Sequence, residues 1–247
     1  MVGPRHDIVA AMSLSSDHLQ SLSTLGLARN PVALAFTDEP PAGVPRVSRA
    51  EAAGCSYWKL ASEGQSFYTT PEDHVNCPIG AITHGVELSA QQGKELEGLI
   101  GTMLRLEYVK SDEVRTIPHR DGPMRVAVYA PLDRASFAPE VVIFRGNARQ
   151  MMLVTEAARH AGAFEAGAVL GRPACAMIPV ALNLRRGVAS VGCVGNRVYT
   201  GLGDDELYVA VPGAAIDRVL IALETILAAN NELEHFHQTR AMALETS

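Results

Sequence analysis

"EVVIFRGNARQMMLVTEAARHAG", residues 140–162, changes its hydrophobic period within a few positions. The run "EVVIF" is short, apolar and β-branched, which predicts a strand. After Arg145, Gly146 and Asn147, the residues Met151, Met152, Thr155 and Ala158 recur on one face at helical spacing. A strand that passes directly into an amphipathic helix is the repeating unit of an α/β chain.

The flanking sequence repeats the alternation. Upstream, "MRVAVYAPL" (124–132) predicts a strand, and so does "NPVALAF" (30–36), an apolar run bounded by Asn30, Pro31 and the turn-rich "TDEPPAGVP". Residues 16–25 predict a first helix, with Leu19, Leu22 and Leu25 behind Ser and Asp caps and Gly26 as the stop. A helix is also expected from Ser48 to Gly64, opened by the capping-box spacing of Ser48 and Glu51, with Cys55 on the face of Trp58 and Lys59. "QSFYTTPEDHVN" (65–76) predicts a hairpin or irregular loop. Ser89 and Gln92 then open a helix carrying Leu96, Leu99, Ile100 and Met103.

Downstream, "AFEAGAVLGRPACAMIPVALN" holds a short helix or a close-packed crossing before Cys175. "GVASVGCVGNRVYTGLGDDELYVAVPG" gives a strand, a glycine-bracketed Cys193, a loop and a second strand. From Ala214 onward Ile216, Val219, Leu220, Leu223, Ile226 and Leu227 form one stripe of an amphipathic helix. The expected architecture is α/β: a single domain of mixed strands and helices over residues 1–247, with room for two lobes and no strand order set by sequence.

Hydrophobic residues are 47% and charged residues 19%, enough apolar material for a packed core and no signature of disorder. The net charge of -6, without a basic run, argues against a nucleic-acid partner. The first residues, "MVGPRHDIVAAMSLSSDH", are too polar for a secretory leader, and no segment approaches a membrane span, so the expected setting is cytoplasmic, with no membrane partner. Thiols stay reduced there, and the four cysteines call for another explanation than disulfides.

Cys77 precedes Pro78, a residue suited to the first position of a helix. A thiolate at that cap would feel the positive helix end, with its pKa lowered. Cys55 follows Gly54, and Cys193 lies between Gly192 and Gly195. No pair has CxxC spacing, but glycine and proline contexts let backbone approach a cluster closely, and four cysteines suffice to hold one. Against this stands simple packing, because free cysteine is among the most buried residue types. His74, three residues before Cys77, is a candidate base or ligand, whereas His235 and His237 do not share a helical face and read as solvated. Arg197, beside a glycine loop, suits a carboxylate, a phosphate or a cluster's charge; its alternative is a salt bridge to Asp204 or Asp205.

The pieces "NPVALAF" (30–36), "GCSYWKLASEGQSFY" (54–68), "NCPIGAITHGV" (76–86), "EVVIFRGNARQMMLV" (140–154) and "GCVGNR" (192–197) resemble the domain of unknown function 169 family of prokaryotic cytoplasmic proteins. The resemblance implies a single α/β domain with Cys55, Cys77, Cys193 and Arg197 at matching positions, Cys175 being a looser match.

The leading expectation is a [4Fe-4S] cluster held by Cys55, Cys77 and Cys193, with Cys175 as a fourth ligand or with one iron open to a small sulfur-bearing or anionic substrate oriented by Arg197. A redox partner is then implied. The alternatives are a binding module for a small hydrophobic or anionic molecule, without metal, and a thiol enzyme in which Cys77 is activated by its helix N-terminus and His74. The C-terminal stripe serves equally as core or as a homodimer face.

Overall fold

The computed structural model describes residues 14–245; the expectation drawn from the N-terminal stretch falls largely on residues 1–13, outside the described ones. Among the described residues seven strands form one sheet: β1 (Val32–Thr37), β2 (Phe67–Thr69), β3 (Val126–Pro131), β4 (Val141–Asn147), β5 (Phe164–Leu170), β6 (Gly187–Ser190) and β7 (Glu206–Pro212). Their order is β2-β3-β1-β4-β7-β6-β5. Every pairing is antiparallel except β5 with β6.

The helices are α1 (Ser16–Leu25), α2 (Gly54–Ser62), α3 (Pro78–Thr83), α4 (Ala90–Arg105), α5 (Ser111–Arg115), α6 (Ala148–His160), α7 (Met177–Leu184), α8 (Val194–Thr200) and α9 (Ile216–Glu245). Both faces of the sheet are covered, which is why the central strands read as continuous apolar runs. Alternate residues serve opposite faces. Ala33, Ala35, Val142, Phe144, Val209 and Val211 join the core beneath α1, α6 and α9. Val32, Leu34, Ile143, Tyr208 and Ala210 join the core beneath α2 and α7, together with Tyr57, Trp58, Cys55 and Cys175.

Three local expectations are corrected. The buried face of α6 is Met151, Leu153, Val154, Ala157 and Ala158, whereas Met152 is 45% exposed. The helix carrying Cys55 starts at Gly54 and not at the Ser48 box, because the Glu51 amide donates to the Tyr57 hydroxyl at 3.0 Å and its carboxylate accepts from Arg49. The segment after Cys193 is the helix α8, ended by Gly201 in the left-handed conformation. Among the described residues no helix is long and apolar enough to cross a membrane.

Candidate functional site

Three helix starts and one turn deliver the cysteines to the α2 side of the sheet. Cys55 is the second residue of α2, Cys77 caps α3 ahead of Pro78, Cys193 caps α8, and Cys175 lies in a single 3-10 turn (Ala174–Ala176) before α7. Gly192 makes the approach to α8 possible: its φ is +77°, and a Cβ there would lie 2.7 Å from Leu202. All four line one cavity of about 740 Å³. Cys55 and Cys175 are 8% exposed and belong to the core; Cys77 and Cys193 are half-buried.

Burial decides the state of three of them, Cys55, Cys175 and Cys77. It pushes Cys55 up to about 12, partly countered by the Asn196 side chain, with Cys77 and Cys193 as neighbours adding to the rise. Burial likewise raises Cys175, against the Thr83 hydroxyl. Cys77 is also raised, contrary to the expectation from its place at a helix start. There the loss of solvent outweighs the backbone N–H groups of Gly80 and Ile79, and α3 is only six residues long.

The cluster expectation is corrected here. Among the described residues, no three His, Cys, Asp or Glu side chains stand close enough together to hold a metal ion. Cys55, Cys77, Cys193 and Cys175 share a cavity without converging on one point, so they form no ligand set for a [4Fe-4S] cluster, and the metal-binding and redox roles built on it fall with it. All four are free thiols. Burial holds Cys55, Cys77 and Cys175 neutral, and they act as small polarizable wall residues.

His74 takes a different position from the one the spacing suggested. Its ring is buried against Gly54 and Tyr57, Nε2 is 2.9 Å from the Thr69 hydroxyl, and Nδ1 has no partner. It does not line the cavity with Cys77. His84, which the sequence did not single out, stands edge-on to it at 5.8 Å, is fully buried and leaves both ring nitrogens without partners. Burial lowers His74 to about 4 and His84 to about 3, the latter also opposed by His74 and Arg120. Arg197 is a loop clasp. Its guanidinium donates to the carbonyls of Gly203 (2.9 Å) and Val191 (2.7 Å) and lies 3.6 Å from Asp204.

The opposite wall is α4 with residues 106–118. Leu99, Ile100, Met103, Tyr108, Val109, Val114 and Ile117 face the cavity, yet none of the sixteen residues of α4 is buried. The segment is tied to the body at both ends. Gln92 reaches the Val75 carbonyl at its start, and the Arg120 amide donates to the Thr83 carbonyl at its end while Asn183 donates to the His119 carbonyl. At the mouth Arg172 spans body and cover: its guanidinium lies 4.7 Å over the Tyr108 ring and 3.4 Å from both Glu113 oxygens.

The profile of the domain of unknown function 169 family, described as "Uncharacterised ArCR", matches residues 22–221. The chain belongs to this family. The span common to the DUF169 family takes in all four cysteines, the cover and the first turns of α9, and ends before the distal half of that helix. Another protein similar to this DUF169 chain is the uncharacterized protein MJ0308 of Methanocaldococcus jannaschii, 28% identical over 195 residues, which are 76% of this chain and 82% of the relative. No solved structure matches.

The cover residues were in view in the sequence as the stripe Leu96, Leu99, Ile100 and Met103, but an amphipathic stripe does not say whether it meets core or ligand. No local pattern separates the two, because the wall that the stripe faces is built from residues distant in sequence, among them Cys55, Cys175 and Cys193.

Proposed function

We propose that this chain is a cytoplasmic binding protein for a small, predominantly apolar molecule, enclosed between the cysteine-bearing wall and the α4–α5 cover. The observation that carries the reading is the apolar face of α4. Leu99, Ile100 and Met103 line a cavity of ligand size, in a helix with no buried residue. A bound molecule supplies the missing packing surface. The neutral thiols of Cys55 and Cys175 suit an apolar body. Among the described residues the only charged side chains of the lining, Arg172 and Glu113, stand at the rim, where a polar end of the ligand meets solvent. The four free thiols support the cytoplasmic setting.

The thiol-enzyme reading has less support. Cys77 is shifted away from thiolate, and His74 is engaged with Thr69 outside the cavity lining.

The test is titration with the apolar fluorophore 1-anilinonaphthalene-8-sulfonate, alongside native mass spectrometry of freshly purified protein for a retained small molecule. Saturable one-site emission is expected, weakened at least about tenfold by Ile100→Glu or Met103→Glu with little change in melting temperature, since neither residue is buried. Equal binding by the variants, or no saturable binding and no retained molecule, would refute the reading.

A further inference from the structure

The helix α9 is thirty residues long, about 45 Å at 1.5 Å per residue, and only its first half has a place in the core. Ile216, Val219, Leu220, Ala222 and Leu223 are at most 5% exposed, packed with α1 and α6. From Asn231 to Arg240 every residue is exposed. This distal half is tethered to the body by the ion pair of Arg149 with Glu234 at 3.0 Å, between two half-exposed side chains.

The buried seam does not stop where the core ends. Val219, Ala222, Ile226, Ala229, Leu233, Phe236 and Arg240 succeed one another at alternating steps of three and four, the spacing of a coiled-coil seam. The first two are buried in the core shared with α1 and α6, whereas Leu233 is 55% and Phe236 56% exposed. A helical segment of this length has little stability alone in water. A surface that continues a packing seam with large apolar residues calls for a second helix.

We propose that the distal half of α9 pairs antiparallel with the same segment of a second copy. The charge pattern selects both occupant and direction. In a parallel pair Arg240 would face its own copy in the seam, two like charges in contact. In the antiparallel pair Leu233 of one copy packs on Phe236 of the other. Arg240 then falls opposite the small Ala229, one turn from Glu232 of the other copy, where a guanidinium has room to reach the carboxylate. The segment is thus complementary to itself about a twofold axis, as an isologous interface must be. The paired area is small, so the association falls on the order of micromolar.

Sedimentation velocity of the full chain across the micromolar range tests this. Wild type is expected to pass from one-chain to two-chain mass, and Phe236→Glu to remain one chain with unchanged helical circular dichroism. Arg240→Glu is expected to weaken association at least about tenfold, and adding Glu232→Arg to it to restore the dimer, a rescue that mere fraying of the helix would not produce. One-chain mass for wild type throughout, association by Phe236→Glu like wild type, or no recovery in the charge-swapped pair each overturns the proposal. So does a wild-type monomer that associates only after deletion of residues 1–13, since the seam would then be covered by the chain's own start.

Discussion

Acidification should unfold this protein through two side chains, His74 and His84. Both are fully buried, one stands near 4 and the other near 3, and an exposed histidine stands near 6.5. Because both values are lowered in the folded chain, the unfolded chain binds protons between pH 6.5 and 4 that the folded chain refuses. Stability is therefore fully present above pH 6.5 and falls as pH falls. Each group contributes a slope approaching about 1.4 kcal/mol per pH unit, so a shift from pH 7 to pH 5 removes about 2 kcal/mol per histidine and about 4 kcal/mol for the pair. Most carboxylates titrate below this window. Urea unfolding at the two pH values measures the loss. His84→Leu separates the partners: both ring nitrogens of His84 are unpartnered, so the substitution removes no hydrogen bond, is expected to cost less than about 1 kcal/mol at pH 7, and halves the pH dependence. Equal stability of wild type at pH 7 and pH 5, or an undiminished pH dependence in His84→Leu, would refute the argument.

Three further outcomes are expected. Gly213→Ala places a Cβ 1.6 Å from the Pro139 carbonyl oxygen, backbone against backbone, and should lower stability by about 3 kcal/mol or more, read from thermal melts. Iodoacetamide should alkylate Cys55 and Cys175 far more slowly than a free thiol at pH 7.5 and Cys77 no faster than one, with mass spectrometry of the digested protein giving the site-resolved rates; a hyper-reactive Cys77 would revive the thiol-enzyme reading. Hydrogen exchange should be fast across residues 90–118 and should slow on ligand binding, while Arg172→Ala, which removes the contacts to Glu113 and Tyr108, should speed it further without moving the melting temperature by more than a degree or two.

Much of the fold was legible because the elements that decide it have strong local signals. The apolar runs of β1, β3 and β4, the caps of α1 and α4 and the stripe of α9 each announce a type and an approximate place. Strand order was not legible, because β1 pairs with residues roughly a hundred positions away and no local pattern records a partner. The helix α8 was hidden by Val194, Gly195, Val198 and Tyr199, poor helix formers that tertiary packing overrides. At the site, sequence identified the four cysteines that the fold gathers around one cavity. It could not distinguish gathering from convergence, which is a matter of where four sulfurs point after folding; nor could it show that burial, acting against the helix start at Cys77, sets the sign of the shift. Trp58 and His84 illustrate the same limit: both are buried with ring nitrogens unpartnered, and neither burial nor partnership has a local signature.

The placement of β1 between β3 and β4 has a consequence for how the molecule comes to exist. During synthesis β1 emerges early, yet its first neighbour begins only at Val126 and its second at Val141. From Thr37 until Val126 the centre of the future sheet has both edges unsatisfied, and it can be completed only after the α4–α5 cover has already left the ribosome. Closing so long a loop before any reward is collected makes folding slow. It also leaves "NPVALAF" an apolar segment of the nascent chain with both strand edges unpaired.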